Sequence, residues 1–176
     1  MAELKLCALD LDGTLADSQH HIIAAMTAAF ASEGENPPSA DAVRQVVGLP
    51  LEVAVRRLAP GIGGLQVERL GQAYRDAYFH AKADDDAPEA QFPGALDALD
   101  ALDAAGWLLA VVTGKGRRGL LSVLDGHGIR NRFVALKSAD DGPGKPNPTV
   151  LLEAMAEAGC EPGRTVMVGD TSFDME

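Results

Sequence analysis

Basic residues are scarce in this chain of 176: 15 Lys and Arg stand against 26 Asp and Glu, a formal net charge of −11. With no basic run to offset that field, the composition argues against a nucleic-acid surface or an anionic membrane as partner. Cysteine is nearly absent. Cys7, inside an apolar run, and Cys160, ahead of a loop, form neither a metal-ligand spacing nor a disulfide framework, and read as reduced thiols of a cytoplasmic protein. Aromatic residues make up 5%, and Trp107, Tyr78 and Phe79 read as packing groups rather than a binding platform. No apolar window reaches the length of a membrane span, and the N-terminal MAELKL lacks a basic region followed by an apolar stretch. What the chain does have is 47% hydrophobic residues, enough for one substantial core, or a core with a smaller appendage.

The most informative segment is DLDGT at 10–14, directly after the apolar run from Leu4 to Leu9. It delivers Asp10 and Asp12 to the C-terminal end of an expected strand, where open α/β sheets keep their chemistry. On an extended chain the two share a face, and Gly13 permits a sharp turn after them. Convergent carboxylates invite a cation or a shared proton, although D-x-D-G also occurs in calcium loops and ordinary turns.

Beyond DLDGT the pattern is helical, with Ile22, Ile23, Met26, Ala29 and Phe30 on one face of a helix of about fifteen residues that Asp17 or Ser18 could cap. Further helices are expected near 40–47, 51–59 and 66–82, separated by Gly48-Leu49-Pro50 and the Gly-rich 60–64. The acidic stretch 84–89 reads as a solvated return linker. From there helices at 94–105, 117–127 and 147–158 alternate with strands at 107–112, 133–136 and 165–168, the signature of a parallel sheet covered on both faces. The expected organisation is a Rossmann-like α/β core of residues 1–16 and 87–176. Into it an all-helical cap of residues 17–86 is inserted, placed over the strand ends as a lid.

The other strand ends add chemistry. Thr113-Gly114-Lys115 presents a hydroxyl and backbone N–H groups at a helix start, a combination suited to a phosphate oxygen, though Thr113 could simply satisfy backbone. Gly169-Asp170-Thr171-Ser172-Phe173-Asp174 adds two more carboxylates. Four acids at neighbouring strand ends cannot all ionise without a cation, and oxygen ligands with no His or Cys among them describe Mg2+. Asp174 could alternatively cap a helix. Lys145, in GKPNP, could hold an ammonium over the site or be a solvated loop lysine. Arg117 and Arg118 read as solvent-facing helix residues.

In order and spacing these elements resemble the haloacid dehalogenase superfamily of phosphohydrolases, in its phosphoglycolate phosphatase-like branch with a helical cap. The resemblance covers essentially the whole chain. It implies a Mg2+-dependent phosphatase acting on a small phosphorylated metabolite: Asp10 the nucleophile that becomes an aspartyl phosphate, Asp12 the acid and then base. Thr113 and Gly114 would bind phosphoryl oxygens, and Lys145 would pair with Asp10. The metal would be held by Asp10, the Asp12 main-chain carbonyl, Asp170 and Asp174. Gly13, Thr14 and Lys115, with Gly48 and Leu49 of the cap loop, complete the expected substrate surroundings.

Within the branch, Leu51 and Glu52 stand where a phosphosugar mutase would be expected to carry an arginine, and Thr14 replaces the aliphatic residue such mutases favour. A phosphonate hydrolase would need a cap lysine, and Lys82 is at the wrong end. An inorganic pyrophosphatase, or an inactive ligand-binding fragment, are the alternatives. The second arises because family members ordinarily continue past GDTSFDM with a further strand and helices. Their apparent absence would leave the strand at 165–168 as an edge, expose Val166 and Val168, and allow self-association.

Overall fold

The computed structural model describes residues 4–84 and 89–176. Among the described residues seven α-helices and four strands follow one another as β1 (Leu6–Leu9), α1 (Gln19–Ser32), α2 (Ala40–Arg44), α3 (Leu51–Leu58), α4 (Gly64–Asp84), α5 (Ala95–Ala104), β2 (Leu108–Val112), α6 (Arg117–Gly126), β3 (Phe133–Lys137), α7 (Thr149–Ala158) and β4 (Thr165–Val168).

The strands form one parallel sheet in the order β3-β2-β1-β4. Strand periodicity assigns the two faces. Cys7 and Leu9 pack with Leu109, Val111 and the α5 and α6 residues Leu99, Leu120, Val123 and Leu124. Leu6 and Ala8 pack on the other side with Ala110, Val112 and the α7 residues Val150, Ala154 and Met155. Being covered on both faces, the inner strands are apolar throughout, as a buried parallel sheet requires. β4 is the exception: Val166 and Val168 pair with Cys7 and Leu9 but stay 46% and 39% exposed.

Helices α1 to α4 bury their apolar stripes against one another, with Met26, Phe30, Val43, Val55, Val67, Leu70 and Tyr78 in a separate cluster. The chain leaves and re-enters the sheet-bearing part through adjacent segments: Asp17 N–H donates to the Ala90 carbonyl at 2.7 Å and Phe92 N–H to the Leu15 carbonyl at 3.2 Å. No helix among the described residues is long and apolar enough to cross a membrane.

Three local expectations are corrected. The helix expected over 40–47 stops at Arg44, because Val46, Val47 and Gly48 (φ +92°) close it with three-residue turns. Ser18 does not cap α1; its backbone is already helical, and its hydroxyl donates instead to Asp12 Oδ1 at 2.6 Å. The acidic stretch 84–89 is not uniformly solvated, since Glu89 is buried. Residues 85–88, and with them the expected 86/87 boundary, lie outside the described residues.

Candidate active site

The sheet order reverses direction between β1 and β4, and a crevice opens at the carboxyl ends of strands on either side of such a switch. Asp10 stands at the β1 side of it, its N–H still in the ladder to the Val168 carbonyl at 2.9 Å. Asp170 stands at the β4 side. After Asp12 the chain turns tightly: Gly13 N–H reaches the Ala16 carbonyl at 2.9 Å, with φ at +87°. A Cβ on Gly13 would overlap the Asp170 carboxylate, so glycine is needed here for both backbone and space.

Asp10, Asp170 and Asp174 each offer a carboxylate oxygen, all within 4.8 Å of one another. Asp174 is fixed by a reciprocal cap on the last turn, Thr171 N–H and Oγ1 donating to Asp174 Oδ2 at 3.0 and 2.8 Å. It therefore caps and joins the acidic cluster at once. Buried Lys145 lies between two of these acids, 2.8 Å from Asp10 Oδ2 and 2.5 Å from Asp174 Oδ1. Burial pushes the Asp10 carboxyl up to about 6; Lys145 opposes the rise, and Asp174 and Asp12 add to it. Asp170 is also raised, first by desolvation of its carboxyl, then by Asp174. A compact set of oxygen donors that resists full ionisation on its own fits a divalent cation.

Asp12 is not in that cluster. Its carboxylate turns toward Ser18 and Lys115, whose Nζ is 2.8 Å from Asp12 Oδ1. The four acids thus divide between two lysines, three with Lys145 nearby and one with Lys115. Lys145 is expected beside Asp10 and Lys115 beside substrate; their ammonium groups stand by Asp10 and Asp12 respectively.

Thr113 is buried at the end of β2, and its hydroxyl accepts the Lys115 N–H at 3.2 Å. The Thr14 hydroxyl is buried with no hydrogen-bond partner among the described residues. The loop Gly48-Leu49-Pro50 reaches all the way to the strand ends. A Cβ on Gly114 would overlap the Gly48 carbonyl, one on Gly144 would overlap Pro50, and Gly48 faces the Thr171 and Phe173 side chains. Beside this contact lies a cavity of about 700 Å3 between the helices and the sheet, with Asp12, Met26, Leu49, Tyr74, Lys115 and Arg118 among its lining.

Other expectations are revised. Tyr78 is more than packing: its hydroxyl donates to Glu89 and accepts from Lys115 Nζ at 2.6 Å. Arg117 is half-buried, tied down by Asp141 at 2.5 Å and the Leu136 carbonyl at 3.0 Å, whereas Arg118 stays exposed as expected, its guanidinium 3.8 Å from the centre of the Phe79 ring. Glu89 is the functional candidate that sequence reasoning missed. Nothing in an acidic linker pattern signals which single carboxylate will be buried.

Residues 8–176 match the family model described as haloacid dehalogenase-like hydrolase. The chain belongs to this haloacid dehalogenase-like family. Phosphoglycolate phosphatase 1 of Pseudomonas aeruginosa is 34% identical over 176 residues, covering 97% of this chain, which spans 64% of that relative's length. Tyrosine-protein kinase PtkA of Mycobacterium bovis is also 34% identical, over 98% of this chain and 57% of its own length. The crystal structure of a hydrolase from Pseudomonas syringae superposes with a TM-score of 0.85 at 25% identity, over 97% of this chain and 78% of that one. These relatives carry different names, so the activity must be argued from the site.

Proposed function

We propose that this chain is a Mg2+-dependent phosphomonoesterase acting on a small anionic metabolite such as 2-phosphoglycolate. The observation that carries the reading is Lys145, buried between Asp10 and Asp174 with Asp170 completing the acidic cluster. That arrangement supports a nucleophilic carboxylate beside a cation-binding site. Asp10, Asp170, Asp174 and the Asp12 main-chain carbonyl would hold Mg2+, which would offset the charge between an anionic nucleophile and an anionic ester.

Asp10 attacks phosphorus, the ester oxygen leaves, and an aspartyl phosphate forms that water then hydrolyses. Asp12 gives its proton to the leaving oxygen and takes one from the water. The Thr113 hydroxyl, the Gly114 amide and Lys145 bind the phosphoryl oxygens where charge builds, with Gly13 and Thr14 alongside. Residues 17–86 act as a cap over the core of 1–16 and 87–176, and its loop at Gly48 and Leu49 closes the site. Buried Cys7 and Cys160 suit a cytoplasmic, reducing setting. The exposed Val166 and Val168 support self-association of the chain through β4.

The test is a panel of phosphorylated metabolites, with inorganic pyrophosphate included, assayed with Mg2+ against an Asp10→Asn control. Turnover of a phosphomonoester by the wild type alone supports the reading. Equal turnover by both proteins removes Asp10 from the nucleophile role, and preference for pyrophosphate makes the chain a pyrophosphatase.

A further inference from the structure

Lys115 follows the strand end that presents Thr113 and Gly114, which would suit a lysine that meets substrate. Its ammonium is already committed. Nζ lies 2.8 Å from Asp12 Oδ1, donates to the Tyr78 hydroxyl at 2.6 Å, and stands 3.8 Å from Glu89 Oε2. It also lies 4.6 Å from the centre of the Tyr78 ring. Two of its three N–H donors are engaged in hydrogen bonds to Asp12 and Tyr78, and Glu89 adds an ion pair. Two carboxylates flank one cation whose side chain is only 9% exposed, so little of its charge is left to attract an anionic substrate.

The effect on Asp12 is geometric. Ser18 and Lys115 both donate to Oδ1, and Asp12 lines the cavity, which leaves Oδ2 as the oxygen for proton transfer. The groups that fix Lys115 come from elsewhere in the fold: Tyr78 from α4, and Glu89 from the segment returning to the sheet. We propose that Lys115 is a positioning residue that aligns the Asp12 carboxylate, and that Tyr78 and Glu89 hold it there, so α4 must be docked for the acid to be aligned. The inference rests on the phosphatase reading.

The test compares Lys115→Met, Tyr78→Phe and Glu89→Gln with wild type on two esters: the alkyl phosphate turned over fastest, and p-nitrophenyl phosphate, whose leaving group needs no proton. Misaligning the acid slows expulsion of the alkoxide but not of p-nitrophenolate. Because Asp12 is also the base in the hydrolysis step that both esters share, the comparison is read in kcat/KM, which stops at departure of the leaving group. For Lys115→Met the expected result is a kcat/KM about 100-fold lower on the alkyl ester and a loss in kcat/KM below about tenfold on the aryl ester. Tyr78→Phe and Glu89→Gln show the same split with smaller losses. Tyr78→Phe removes one hydroxyl and keeps the ring, so the split can be read even if Lys115→Met does not fold. A raised KM with unchanged kcat makes Lys115 a substrate-binding group and overturns the proposal, as do equal losses on both esters. A wild type that hydrolyses no alkyl phosphate overturns instead the phosphatase reading beneath it.

Discussion

Gly114 and Gly48, one at the end of β2 and the other in the loop between two helices, touch backbone to backbone, with no room for a Cβ on Gly114 beside the Gly48 carbonyl. Gly114→Ala is therefore expected to push the Gly48-Leu49 loop off the strand ends. The cost of such overpacking is about 1–3 kcal/mol. A thermal melt and the KM for the best phosphate ester check this: the melting temperature falls, and KM rises because the loop no longer closes the site.

Removing the Lys145 ammonium leaves Asp10 and Asp174 facing each other without their cation. Breaking a buried pair in this way costs about 3–5 kcal/mol. Lys145→Met is expected to lose stability on this scale in urea unfolding and to regain part of it on adding Mg2+, since a divalent ion offsets the same carboxylates.

The pH dependence follows from Asp10, whose carboxyl burial pushes up to about 6 from an ordinary 3.8. A raised carboxyl binds its proton more tightly folded than unfolded. Its contribution to stability is therefore full below the ordinary value and lost as pH rises through about 6. Without metal, the melting temperature should fall across that window, and Asp10→Asn should flatten the fall. Mg2+ needs the carboxylate, so its stabilising effect should grow over the same range.

Among the described residues β4 is an outer strand, and its Val166 and Val168 are exposed on the face that Cys7 and Leu9 bury further along the sheet. Replacing both by lysine is expected to shift sedimentation toward the monomer, because charge on an edge opposes strand pairing. An unchanged distribution means the edge is not where copies meet.

How much of this was legible beforehand depended on the range of the interaction. β1, β2, β4 and the two sides of the sheet follow from apolar runs and periodicity, which are local properties of the chain. The gathering of Asp10, Asp170 and Asp174 was legible from strand ends, because parallel strands bring those ends together. Lys115 was not legible as a partner of Asp12, nor Glu89 as a buried acid. Their pairing joins residues 12, 78, 89 and 115 from four separate segments of the chain, and no local pattern encodes that meeting. Ser18 shows the same limit: it has the sequence of a helix cap and spends its hydroxyl on Asp12.

The central claim is that Asp10 carries the phosphoryl group. A single turnover with the best phosphate ester and Mg2+, quenched in acid and digested for mass spectrometry, tests it most directly. The account predicts a phosphorylated peptide containing Asp10 that is lost in Asp10→Asn. Turnover with no modified peptide, or with the phosphoryl group on another residue, would contradict it.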